Sequence, residues 1–487
     1  MKNRALNSTL SIVIAFLLTF SCFAAPVPAG NVTDTNETEN TASDSFSQPE
    51  LSGSGTETDP YIIDSPLAFL KAASLINDNV NKNTYGKAVY SITACLNFDG
   101  IDLVPWGTSG APFNGVLYGN GHKLYNIALV DTAHFGIVGY MENGKIDGVH
   151  AQYKDAEYSV TEMTNFGGIA AIVIPSATTP NAYITQCSVK GDITIDSNMG
   201  IEVGGIYSKS AKEGDSEIYV RDCVSYMNLD LTADGVVYAG LVVAHAECSS
   251  DNPFSFSRCV SYGDIAVTAR SGKIGGIAGV ANGEEQSWSD WVSFGALEAE
   301  INHLENCVTL SDVTVNVAGG DSFAGKIVGH DGNNTTVFYN CAYSSAVVLT
   351  SNCGAGNVHG NSHTEANLKD ASYMASKFGF DFTNTWTMGE DGVMSLKNSC
   401  SDCVTAPYIL LTDSTVTVNG FKGELAVSVF SGLVLEKIVF VPVTSYSSLS
   451  YGELGLAVDK GDTVKAFLFE EKSTLKPITQ SQTFVAE

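Results

Sequence analysis

The chain has 487 residues, with 25 Lys plus Arg against 53 Asp plus Glu and a formal net charge of −28. A field of that sign repels nucleic acid and anionic membrane, and it repels an anionic polysaccharide unless calcium bridges the two. Beyond the N-terminal apolar run no stretch approaches the ~20 apolar residues of a spanning helix, so no membrane span is expected.

At the N-terminus "MKNR" is a short basic start, and Ile12 to Phe20 is an apolar run too short to cross a bilayer. Together they read as a secretory signal peptide over residues 1–24, with cleavage after Ala24 or Ala29 satisfying the small-residue rule. The expected location is secreted, extracellular or at the cell surface, and loss of Lys2 and Arg4 takes the charge from −28 to −30. Residues 25–58 are rich in Asn, Thr, Ser, Glu and Gly with almost no apolar content, which predicts a disordered leader. Order is expected from Asp59 in "DPYIID". Ser65 then offers an N-cap with Pro66 at the first helical position, and Phe69, Ala72, Ala73 and Ile76 share one helical face. One short helix is predicted, Pro66 to Asn77.

Strand chemistry follows, as short β-branched and aromatic runs divided by Gly, Asn, Asp and Ser. Cys187, Cys223, Cys259, Cys307 and Cys341 fall at intervals of 36, 36, 48 and 34. Six places after each stand Ile193, Leu229, Ile265, Val313 and Val347, and two further Ile195, Leu231, Val267, Val315 and Leu349. That is one half-buried strand repeated five times. A knot of small apolar residues keeps the same period: "GGIAA" at Gly167, "GGIYS" at Gly204, "AGLVV" at Ala239, "GGIAG" at Gly275 and "AGKIV" at Ala324. Two features sharing one period predict stacked coils, and an inward row suits free cysteine better than pairing or metal binding. The state of the other mature cysteines is left open, including Cys400 and Cys403 in "SCSDC".

The earliest knot lies in "FGIVGYMENGKIDGV" from Phe135, where Gly136 and Gly139 are read as close-approach positions and Asn143-Gly144 as a turn. It resembles the core of the GLUG repeats of secreted bacterial right-handed β-helix proteins. "GSGTETDPYIIDSPLAFLKAASLIN" from Gly53 is similar to their opening segment, where a helix caps the first coil. Phe113, Gly115, Gly119, Gly121 and His122 match a first-coil pattern, and "GFDFTNTWTMGEDGVMSLKN" from Gly379 resembles their closing segment. The resemblance implies an all-β, right-handed parallel β-helix over residues 59–398 with an N-terminal capping helix. After Cys403, longer alternating runs predict a small antiparallel β-sandwich-like domain over 404–487. Its Val-Lys-Ala-Phe-Leu phrase resembles a C-terminal module of bacterial surface proteins.

Candidate chemistry is sparse. "GTSGAP" at Gly107 lacks a base placed for Ser109, and "YGNGH" lacks the helix and lysine of a phosphate cradle. The eight histidines show no metal-site spacing, and His359 and His363 flank a helix-breaking Gly-Asn. Asp192, Asp264 and Asp312 recur at one repeat position with Asn228, which marks a turn former rather than a glycosidase pair. No catalytic, cofactor or metal residues are assigned, and calcium is expected only adventitiously. Trp288 and Trp291 in "SWSDW" fall in the unit stretched to 48 residues and are the candidate surface-binding pair for a glycan or an extracellular protein. The expected function is a non-catalytic recognition scaffold; a carbohydrate-active β-helix enzyme and a self-associating surface component are the alternatives.

Overall fold

The computed structural model describes residues 51–174, 181–210, 217–247, 254–282, 303–331, 336–355, 360–400, 407–419, 421–443, 446–469 and 482–486. These fall into two compact units, one spanning Gln48–Ala406 and one that includes Pro407–Glu487.

The first unit is built on long parallel sheets, compatible with a β-helix. Nine strands, opening at Tyr61, Val89, Val116, Gly144, Ala182, Ile218, Phe254, His303 and Val337, pair in sequence order into one sheet. After each of these from Val89 onward the chain enters an eighteen-stranded sheet. From six coils it then passes to a six-stranded sheet: Val138–Met141, Ala170–Val173, Tyr207–Ser210, Val243–Glu247, Ala278–Asn282 and Val328–His330. The pairings between successive coils are parallel, with register shifts at Leu124/Ile127 and Ala233/Val236; elsewhere like positions align, so that Tyr183 lies beside Lys145 on one side and Tyr219 on the other. Stacking in register places like side chains in continuous rows. One such row, Ile146, Ile184, Val220, Phe256 and Leu304, is fully buried, and each member adds roughly 1.5–3 kcal/mol of apolar burial.

The five periodic cysteines form another buried row, all as free thiols. Each Sγ donates to a carbonyl of the preceding coil: Cys223 to Ile184 at 3.6 Å, Cys259 to Val220 at 3.6 Å and Cys341 to Leu304 at 3.3 Å. Burial pushes the thiols of Cys223, Cys259 and Cys307 well up, which withholds the reactive thiolate. We expect iodoacetamide to leave all five unmodified in the native protein and to alkylate them in denaturant, read by mass spectrometry; modification of the native row would contradict this packing. Among the described cysteines, Cys95 is disulfide-bonded.

The residue before each of these cysteines turns the corner in a left-handed conformation: Gln186, Asp222, Arg258, Asn306 and Asn340 have φ between 50° and 54°. Such backbone costs an L-residue about 1–2 kcal/mol. Side-chain bonds along the row offset it, including the two from Arg258 to Asp222 at 2.7 and 2.8 Å and that from Asn340 to Asn306 at 2.8 Å.

The knot is the corner between the eighteen- and six-stranded sheets. Gly167, Gly204, Gly240, Gly275 and Gly325 pair in one row. The sequence reading placed Ala239 and Ala324 there, one residue early; the glycine is retained in every coil. A Cβ at Gly204 would lie 1.8 Å from the Tyr207 carbonyl oxygen, and equivalent clashes of 1.8 to 2.3 Å await the other four. The turn itself therefore excludes any side chain. In the opening stretch, a Cβ on Gly136 would meet the next coil at the Gly167 oxygen, 2.4 Å away, and Gly144 turns with φ +98°.

Helix α1 spans Pro66–Asn77, with the Ser65 hydroxyl accepting from the Ala68 N–H at 3.2 Å. Phe69 on its buried face stacks on Trp106 at 4.7 Å, and the Trp106 indole donates to the Phe69 carbonyl at 3.1 Å. Ordered chain begins before Asp59: the Ile62 N–H bonds to Ser52 O and the Val89 N–H to Gly55 O, both at 2.9 Å, so residues 51–58 join the first coils rather than the leader.

His150 sits in this unit at 2 % exposure, its Nδ1 2.7 Å from the Ser188 hydroxyl. Burial, then the nearby Lys123 ammonium, pushes its imidazole down to about 4. Between that value and the ordinary 6.5 the unfolded chain binds a proton that the folded chain refuses, so this contribution is present above pH 6.5 and is lost as pH falls toward 4. The loss amounts to roughly 3 kcal/mol. We expect urea unfolding of His150→Gln to lose less stability between pH 7 and 4.5 than the parent; equal losses would refute the assignment.

The closing segment is not a further coil. After helix α2, Ala371–Phe378, it runs back along the corner row as a strap. Lys377 O accepts from Asn340, the Trp386 indole donates to Asp222 at 3.1 Å, the Met394 N–H donates to the Tyr262 hydroxyl at 2.8 Å, and the Cys400 N–H reaches Gly121 O at 2.8 Å. Trp386, Met374, Phe378, Phe380, Met394 and Leu396 pack on Val224, Val260, Val308 and Ala342.

The second unit holds two antiparallel sheets, of three and four strands. They share one core, with Ile409, Val416 and Val418 from the first and Leu425, Val427, Val464 and Leu468 from the second. Alternation along Thr415–Asn419 and Thr463–Phe469 supplies that apolar face.

Candidate functional site: a polar seam across the coils

Beside the knot, two register rows face one another along six coils. The first is His134, Asn165, Glu202, Tyr238, Lys273 and Phe323. The second is Tyr140, Ile172, Lys209, His245, Val280 and His330. One place before each second-row residue the six-stranded sheet carries a small one: Gly139, Ala171, Ser208, Ala244, Gly279 and Gly329. A Cβ on Gly279 would fall 2.7 Å from the Lys273 oxygen, and one on Gly329 2.4 Å from the Ile274 nitrogen. Small residues let the two strands close on each other, and the flanking side chains meet.

Glu202 anchors the middle of the seam. Its Oε1 takes Lys209 Nζ at 3.0 Å and lies 3.4 Å from His245 Nδ1, while Oε2 accepts from Asn165 Nδ2 at 3.3 Å. Burial alone would raise this carboxyl; the His245 and Lys209 contacts outweigh it and hold it below its usual range. Asn165 also lies 3.1 Å from His134 Nδ1, through its Oδ1. Toward the other end, Tyr238 meets His245 edge-on at 5.0 Å between ring centroids, Lys273 Nζ stands 5.7 Å from the Tyr238 ring, and Phe323 stacks on His330 at 4.8 Å. Most of these side chains are half-buried. Such a surface combines hydrogen-bond donors, cations and ring faces with a carboxylate that orients a histidine.

Each first-row residue stands two places before a knot glycine, and from Ile172 onward each second-row residue stands five after. That fixed phase was readable, but the row changes chemistry from coil to coil and no conventional motif marks it. His134, His245 and His330 belong to it, which a search for local histidine spacing could not reveal.

The recurring aspartates are structural. Asp192 N–H bonds to Asp155 Oδ1 at 2.8 Å, Asp264 N–H to Asn228 Oδ1 at 2.9 Å, Asp312 N–H to Asp264 Oδ1 at 2.8 Å and Val348 N–H to Asp312 Oδ1 at 2.7 Å. Asp155, Asn228, Asp264 and Asp312 thus cap the equivalent amide of the next coil, while Asp192 Oδ1 accepts from Asn228 Nδ2 at 2.6 Å. "GTSGAP" forms a turn, with Gly107 at φ +82° and Thr108 N–H bonded to Ala111 O at 3.0 Å. His122 lies 3.9 Å from Cys95 Sγ, and His363 is 2.7 Å from the Tyr373 hydroxyl; His359 and Cys403 fall outside the described residues. Among the described residues no group of three His, Cys, Asp or Glu is placed to hold a metal, and no helix is long and apolar enough to cross a membrane. Trp288 and Trp291 lie outside the described residues, in 283–302; the flanking strands are Ala278–Asn282 and His303–Glu305.

The architecture and seam define a mostly-β protein with long parallel sheets. No protein-family model matches the chain, and no curated protein matches it. Among solved structures it is similar to a Bacteroides ovatus chain named "a putative immunoglobulin A1 protease", with TM-score 0.52 and 19 % identity over 72 % of this chain and 95 % of that one. At that identity the likeness shows the fold alone.

Proposed function

We propose that the chain is a secreted or cell-surface right-handed parallel β-helix protein with GLUG-like repeats, that it recognises an extended glycan along the seam, and that it does so without catalysis. The observation that carries this reading is the seam itself. Six coils spaced ~4.8 Å apart give a track of about 24 Å, with rings and hydrogen-bonding groups repeating along it. A linear polymer of several sugar units matches a periodic track better than a compact molecule does. Both Glu202 oxygens are engaged by neighbours, which suits a positioning role more than proton transfer.

One contact favours a second reading, a carbohydrate-active enzyme: a carboxylate orienting a histidine beside a tyrosine is also how a general base is held. Incubation with a polysaccharide panel, scoring both retention and product release, separates the two. Recognition predicts retention without released fragments, and loss of retention in Tyr238→Ala combined with Phe323→Ala at unchanged circular dichroism. Released fragments would replace it with the enzyme reading, and retention that survives the double substitution would remove the seam from the function.

A further inference from the structure

The seam is poor in acids compared with the chain around it. Its twelve positions hold two of the 25 Lys and Arg residues, three of the eight histidines and one of the 53 acids. That acid, Glu202, is already shared by Lys209, His245 and Asn165. Asp321 is a second acid near this end, close enough to His330 to act on it electrostatically. Lys273 has the Tyr238 ring beneath it, and among the described residues no carboxylate pairs with it. A protein that spreads acids over its surface and gathers cations and rings on one track has placed an attractive site within a repulsive field.

We propose that the seam takes a linear polyuronate, a glycan carrying carboxylates at regular intervals, with Lys209 and Lys273 as its principal cationic contacts. This rests on the recognition reading above and names its ligand class. The two lysines are two coils apart, about 10 Å along the stack, so a chain with repeated carboxylates can meet both at once. Net charge argued against an anionic polysaccharide, but net charge acts at long range and is screened beyond about 8 Å at physiological ionic strength. Direct contacts inside the seam are not. Ring faces of Tyr238 and Phe323 serve the sugar rings between the anionic groups.

Polygalacturonate and its fully methyl-esterified form share a backbone and differ in charge, which makes them the probes. Affinity is measured for the full chain, for Lys273→Gln and Lys209→Gln, for Tyr238→Ala, and for Lys190→Gln as an exposed control on another part of the stack, with circular dichroism checking the fold. The parent should bind the acid form at least about tenfold more tightly than the ester. Each seam lysine substitution should weaken acid binding by about tenfold, the equivalent of one charge-assisted hydrogen bond, and the control should not. Equal binding of acid and ester, lost in Tyr238→Ala, would overturn the anionic ligand class while leaving seam recognition standing. Acid binding unchanged in both lysine variants and in Tyr238→Ala would overturn both, and failure of the acid form to bind would overturn the anionic ligand class.

Discussion

Gly204→Ala is expected to destabilise the first unit by roughly 4 kcal/mol. The added methyl would sit 1.8 Å from the Tyr207 oxygen and 2.5 Å from its carbonyl carbon, both backbone atoms of the same tight corner. Neither can rotate away as a side chain would. Opening the corner would move Tyr207–Ser210 off its register with Ala170–Val173 and Val243–Glu247, and in a stack each coil is held mainly by its neighbours. All four tryptophans belong to residues 48–406, so urea unfolding followed by tryptophan fluorescence reports this unit. Gly379→Ala, in the same unit, is the comparison: φ is +68° but nothing lies within 4 Å, so only backbone strain of about 1 kcal/mol applies. Similar shifts for the two variants would refute the close-packed corner.

Trp386→Ala should cost about 4 kcal/mol, within the range for deleting a buried aromatic side chain. Trp386 is fully buried in the strap, edge-on to Phe380 at 5.2 Å, and its indole donates to Asp222, which also accepts from Nε and Nη2 of Arg258. Removing it opens a cavity over Val224 and Val260 and withdraws one donor from that carboxylate. The strap joins residues 164 positions apart, so its loss should loosen the corner row as well as the segment. Hydrogen exchange should quicken both in residues 379–398 and in 222–224 and 258–260. Quickening confined to 379–398 would mean that the strap only decorates the stack.

How much of this was visible in the sequence follows from the physics of each part. The coil period was legible because an inward corner accepts few side chains, and cysteine recurs there. Ser65-Pro66 marked the start of α1 through cap chemistry that depends on neighbouring residues alone. The knot was read one residue early at Ala239 and Ala324, since small residues flank the glycine and only strand register distinguishes them. Residues 51–58 look polar and yet are ordered, because backbone bonds to Tyr61–Ile63 and Val89–Ile92 hold them. The strap was recognisable as a closing segment, but its path was not, since it depends on contacts such as Trp386 with Asp222. The seam was hidden for the same reason: its members share a phase around the knot and differ in chemistry, and they become one surface only when the coils stack.

Hydrogen exchange of the full chain, with and without saturating polygalacturonate, tests the central claim most directly. The account predicts slowed exchange in Asn165–Val173, Glu202–Ser210, Tyr238–Glu247 and Lys273–Asn282, the paired strands of the seam. Protection confined to residues 283–302, around Trp288 and Trp291, or to residues 407–486 would contradict it.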